Sequence, residues 1–148
     1  MILDEAADAL AGATAGEVVV IGDRHGALTL GALDLLSETE TETEADAAGI
    51  RVHQDALSGE LALASNAAAF GYEKGYRSIA LGVEKHSREL LSGARVVLLQ
   101  LPRGLDALDE IAAAIAAHAD PDVVVVAGGR IKHMTPAMND VLGEHFAL

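Results

Sequence analysis

Apolar and polar positions fall into blocks whose period switches along the chain. Met1 to Ala15 sets Leu3, Ala6, Ala7 and Leu10 on one stripe at helical spacing. Glu17-Val-Val-Val-Ile21 is a short β-branched run closed by Gly22, as expected of a buried parallel strand. Helical spacing returns from Gly26 to Leu36 through Leu28, Leu33 and Leu36. Ile50-Arg-Val-His53 predicts a short second strand. Ser58 then predicts the cap of a helix running through Leu61, Ala64 and Ala68 to Gly71. Ser78 to Val83 reads as a third strand, and Lys85 to Leu91 as a short helix closed by Gly93. Arg95 to Leu101 is a strong strand, turned by Pro102-Arg-Gly104 into a helix with Leu105, Leu108, Ala112 and Ile115 on its apolar stripe. Asp106, Asp109 and Glu110 suit the positive end of that helix, and His118 the other. After the turn Asp120-Pro-Asp122 comes the apolar strand Val123 to Val126. Thr135-Pro136 opens a last helix through Met138, Val141, Leu142 and His145.

Strands alternating with helices in this way predict an α/β fold. The expected form is Rossmann-like and doubly wound, with a mostly parallel sheet covered by helices on both faces. One domain over residues 1–148 suits the length. Residues 37–46, rich in Glu and Thr, read as an acidic solvated loop. Ligands of such sheets bind past the carboxyl ends of the strands, where the strand order reverses. Four segments belong at that edge: Gly22–Gly26, the residues after His53, Gln100–Gly104 and Gly128–His133.

Composition narrows the function. The apolar half of the sequence is almost free of aromatics, so Ala, Val, Leu and Ile must build the core. No apolar run reaches the roughly 18 residues that cross a bilayer, and no leader opens the chain, so a cytoplasmic protein is expected. Without Cys there is no disulfide, thiolate nucleophile or Cys-ligated zinc. A net charge of −13 argues against a general nucleic-acid binder. The charge is uneven. Met1 to Ile50 holds eleven acidic residues against one basic, whereas the stretch bounded by Glu73 and Arg103 holds six basic against three acidic. That second stretch is either an RNA-facing patch or an ordinary mixed surface.

The candidate chemistry is sparse. Gly22-Asp-Arg-His-Gly26 stands where a Rossmann-like domain places its glycine cradle, but Arg24 and His25 put bulk where bare backbone is needed. Two glycines making a strand-to-helix turn are the simpler explanation. Asp23 and Asp55 lie near strand ends, within reach of a ribose or an amine; the simpler task for each is a cap. The six histidines show no close ligand spacing, and no metal site is expected. No serine sits in a Gly-x-Ser-x-Gly elbow. Arg130, Lys132 and His133 form the densest cationic loop and, with Arg103, are the candidates for phosphate contact.

Four segments carry a family resemblance: VVVIGDRHGALTL, LALASNAAAFG, VVLLQLPRGLDALDE and VVVVAGGRIKHMTPAMNDVLGEHF. Together, over Val18 to Phe146, they resemble the amino-terminal domain of the two-domain ribosomal RNA guanine-N(2) methyltransferases. The resemblance implies a methyltransferase-like fold whose carboxyl-terminal sister half binds S-adenosylmethionine and carries an Asn-Pro-Pro-Phe type motif. It implies for this half a degenerate site, support of the catalytic half and engagement of ribosomal RNA. Where an active half places Asn-Pro-Pro, this chain reads Gln100-Leu-Pro-Arg-Gly104. On that reading no residue here is catalytic. Gly22, Asp23, Gly26 and Asp55 are remnants of a cofactor site, and S-adenosylmethionine belongs to the full-length family rather than to this chain. The competing reading is a free-standing small methyltransferase that binds S-adenosylmethionine or a nucleotide at the Gly22–Gly26 edge.

Overall fold

The computed structural model describes residues 2–23, 26–37, 49–54, 57–71, 75–79, 81, 84–129 and 134–147. Helix α1 (Ile2–Ala11) leads through a 3-10 turn (Ala15–Glu17) into strand β1 (Val18–Ile21), helix α2 (Ala27–Ser37) and strand β2 (Ile50–His53). Helix α3 (Leu57–Phe70), strand β3 (Tyr76–Ser78), helix α4 (Glu84–Leu91) and strand β4 (Val96–Gln100) follow. Helix α5 (Leu105–His118), strand β5 (Val124–Gly128) and helix α6 (Pro136–His145) complete the order. The five strands pair only in parallel, in the order β3-β2-β1-β4-β5. This is the expected doubly wound sheet, and the order reverses between β1 and β4.

Side chains of a strand alternate between faces, so the sheet divides its apolar residues into two cores. Val18, Val20, Ile50, Val52, Val96 and Leu98 meet Ala6, Leu10, Ala32, Leu36 and Leu63 of α1, α2 and α3 on one face. Val19, Ile21, Val97 and Leu99 meet Leu90, Leu108, Ala112, Ile115, Met138 and Leu142 of α4, α5 and α6 on the other. β1 and most of β4 are buried from both sides, which is why they read as unbroken apolar runs.

The structure corrects four local expectations. Helix α1 stops at Ala11, because Ala13 already bonds back only three residues, to Leu10. Strand β3 occupies Tyr76–Ser78, ahead of the apolar run expected to form it; Ile79 and Leu81 instead pack on the second core from the loop beyond. Helix α3 opens at Leu57, so Ser58 stands inside it, and its buried line is Gly59, Leu63 and Ala67. Leu61 is 62% exposed, with Ala64 and Ala68 on the same outward side. In Leu61-Ala-Leu-Ala64 two stripes carry equal hydrophobicity, and the pattern cannot choose between them. Leu105, at the first position of α5, is exposed while Leu108, Ala112 and Ile115 are fully buried. The acidic loop expected at 37–46 lies, from residue 38 onward, outside the described residues.

Candidate functional site at the reversal of strand order

The carboxyl ends of β2, β1, β4 and β5 are laced together side by side. Gly22 N–H donates to the His53 carbonyl at 3.0 Å, and Leu101 N–H to the Gly128 carbonyl at 2.8 Å. Gly22 has φ +88°. A Cβ there would lie 3.0 Å from the Gln100 carbonyl oxygen and 3.3 Å from the Gln100 Cβ. The glycine therefore lets β1 turn against the end of β4. Gly26, at φ +84°, would bring a Cβ to 2.6 Å from Leu63 of α3. Both glycines are used by contacts within the chain.

Asp23, between them, is 3% exposed. Its Oδ2 accepts from the Thr29 N–H at 2.8 Å and its Oδ1 from the Leu28 N–H at 3.3 Å. These are the second and third N–H groups of α2, the donors a helix leaves open at its start. The carboxylate also sits at the positive end of the helix dipole, where a ligand anion would be stabilised. The capping role weighed from sequence is the one the geometry gives Asp23. Thr29 is itself fully buried, and its Oγ1 has no hydrogen-bond partner among the described residues.

The other sequence candidates separate. Arg103 is exposed on the loop between β4 and α5. Asp55, Arg130, Lys132 and His133 lie outside the described residues, as do Arg24 and His25. The structure thus joins Gly22, Asp23 and Gly26 and leaves Arg103 apart on the surface.

Sequence reasoning missed several polar groups near these strand ends. His53, buried at the end of β2, has Nδ1 3.0 Å from the Ile79 carbonyl, so Nδ1 carries the proton and donates. Gln54 is buried beside it, and its Nε2 donates to the Gly59 carbonyl at 3.5 Å. Between α5 and α6, His145 Nε2 approaches Asp109 Oδ1 at 2.8 Å, with Glu144 close by. Their separation in sequence hid that cluster from any spacing rule. The contact stands as an exposed interhelical pair, an ion pair when the imidazole is charged.

With this geometry in view, comparison with known proteins places the chain. The family model described as the RLMG N-terminal domain matches residues 1–147. The chain belongs to that family. The resemblance read from its sequence is borne out, and RLMG N-terminal domain describes it below. A search of curated protein sequences found no match. Among solved structures, TrmN from Thermus thermophilus is similar over 98% of this chain and 40% of its own, with TM-score 0.66 and 16% identity. A precorrin-6y C5,15-methyltransferase from Geobacter metallireducens is similar over 95% of this chain and 68% of its own (TM-score 0.66, 12% identity). An rRNA methylase from Streptococcus thermophilus is similar over 97% and 80% (TM-score 0.62, 13% identity). At such identities the likeness establishes the methyltransferase fold. The RLMG N-terminal domain spans two fifths of the Thermus protein's length. Among the described residues no helix is long and apolar enough to cross a membrane.

Proposed function

We propose that this RLMG N-terminal domain is the non-catalytic half of an S-adenosylmethionine-dependent ribosomal RNA guanine methyltransferase. Its task is to support the catalytic half and to help present RNA to it. One observation carries the reading: the chain fills its own cofactor cradle. The Asp23 carboxylate takes the leading N–H groups of α2, and Gly22 is pressed against Gln100. A cofactor cradle needs those groups free and that backbone approachable. This arrangement of the described residues supports a degenerate cradle, and no step of methyl transfer is routed through them.

The segment after β4 supports the same reading. Orienting a guanine amine toward a methyl sulfonium needs fixed acceptors and an aromatic platform. Gln100-Leu-Pro-Arg-Gly104 supplies neither an Asn-Pro pair nor an aromatic. For RNA, exposed Arg103 and the sequence cations Arg130, Lys132 and His133 are the contacts proposed, against the opposing field of a −13 chain. That balance favours contact shared with the catalytic half over binding by this domain alone.

Calorimetric titration of S-adenosylmethionine into the chain tests the proposal. The expected result is no binding heat and no thermal shift at millimolar ligand. Micromolar affinity would overturn it in favour of a free-standing methyltransferase working at the Gly22–Gly26 edge.

A further inference from the structure

Helices α5 and α6 pack closely on one another, yet neither contains a Lys or an Arg. Their ionisable residues are Asp106, Asp109, Glu110 and His118 on α5, and Asp140, Glu144 and His145 on α6. The helix pair thus carries carboxylates and imidazoles and no permanent cation.

Three of these groups converge. Asp109, Glu144 and His145 each offer a donor atom, and the three atoms lie within 4.8 Å of one another. Within the group, His145 Nε2 stands 2.8 Å from Asp109 Oδ1. The His145 side chain is 21% exposed and that of Asp109 53%, so the donors are held near the surface without being lost to it. The second core fixes the backbones that carry them: Leu108 precedes Asp109 and is fully buried, and Leu142, three residues before His145, is buried with it.

The charge here is out of balance. A neutral imidazole leaves two carboxylates uncompensated, and an imidazolium still leaves one. Glu144 also stands in the last turn of α6, the negative end of the helix dipole, where a carboxylate is disfavoured and a cation favoured. An ion pair between His145 and Asp109 answers neither Glu144 nor the dipole. A divalent cation answers all of them.

Donor chemistry narrows the ion. One imidazole nitrogen with two carboxylate oxygens suits zinc and its first-row neighbours, whereas magnesium and calcium take oxygen ligands. Around an ion about 2.0–2.2 Å from each donor, the donors lie roughly 3–3.5 Å apart. The His145 nitrogen and Asp109 oxygen are already slightly nearer than that, and rotation of the exposed Glu144 side chain closes the third side.

We infer that Asp109, Glu144 and His145 bind one divalent transition-metal ion, zinc foremost, which ties the last turn of α6 to α5. The ion takes the place of the proton between the imidazole and Asp109, and water fills the remaining position. All three ligands belong to described helices of one chain. Histidine spacing could not reveal the site, since Asp109 and His145 stand 36 positions apart. The inference stands independently of the methyltransferase reading.

Calorimetric titration of zinc chloride into the whole chain, cleared beforehand with a chelator, tests it. One zinc per chain should bind with micromolar affinity and raise Tm by several degrees. His145→Gln, Asp109→Asn and Glu144→Gln should each weaken zinc at least ~10-fold. His118→Gln, on the same helix as Asp109, should bind zinc as the parent chain does. Cobalt(II) gives a locator that needs no variant: NMR signals around Asp109 and His145 should broaden before any others. Four results would overturn the inference. Zinc binding weaker than millimolar would remove the site, and undiminished affinity in His145→Gln, or cobalt broadening centred elsewhere, would move it. Magnesium or calcium binding as tightly as zinc would mean diffuse attraction by a −13 chain. One zinc per two chains would mean that a second copy supplies ligands.

Discussion

Arg51 is the residue whose environment departs most from its chemistry. It lies in β2 with 5% of its surface exposed, and its guanidinium is met by carbonyls. Nη1 donates to Ser92 at 2.7 Å and Glu89 at 3.1 Å, and Nη2 donates to Gly16 at 3.0 Å. Two of these acceptors belong to the end of α4, where the helix dipole is negative and a cation is favoured. Burial, and then the nearby Arg77, lower the Arg51 pKa. For a base, a lowered pKa means that folding disfavours the charged form. The group nonetheless stays protonated at every working pH, so no titration window follows. Arg51→Ala should cost on the order of 3 kcal/mol, since three buried acceptors lose a charged donor. At this chain length that corresponds to a Tm lower by roughly 6–12 °C. Arg51→Lys should restore only a small part, because an ammonium lacks the planar fork that spans three divergent carbonyls. A change within about 2 °C for the alanine variant would refute this account. Asp23 and Arg51 also mark how far single residues are legible in sequence. The Asp23 cap is closed by neighbours five and six positions away and was within reach of a local rule. The Arg51 acceptors stand 35 to 41 positions away and leave no local trace.

Among the elements, helix α3 separates what periodicity determines from what packing determines. Its existence and length were evident from the pattern, but the stripe read through Leu61, Ala64 and Ala68 is not the one that packs. Packing decides it: Leu63 is fully buried against the first core and beside Gly26, whereas Leu61 faces outward. Leu63→Ala should therefore destabilise by about 2–5 kcal/mol, and Leu61→Ala should stay within about 0.5 kcal/mol, both read from urea unfolding. A larger loss for Leu61→Ala than for Leu63→Ala would restore the stripe read from sequence. Strand β3 teaches the complement. Its polar residues hid it, because an edge strand needs no apolar run, and the apolar residues beyond it are loop contacts with the second core. Strands β1 and β4 were legible for the opposite reason, since burial from both faces leaves only apolar residues acceptable.

At the scale of the whole molecule, the charge of −13 on 148 residues is the dominant long-range term. Self-repulsion opposes the compact state and is screened within a Debye length of about 10 Å at 0.1 M salt. Thermal stability should accordingly rise by several degrees between low salt and ~0.5 M sodium chloride, with the steepest gain at the dilute end. A flat or falling Tm would mean that local pairs, not the net field, govern the response. The doubly wound architecture and the site's place past the strand ends were open to sequence reasoning. The filling of that site was not, because it depends on Gln100 and Leu63 arriving beside two glycines from distant parts of the chain. The Asp23 clasp on α2 spans so few residues that it can close during synthesis, well before β4 leaves the ribosome. A contact this local lets α2 take shape first, as a template on which the later strands of the sheet are laid down.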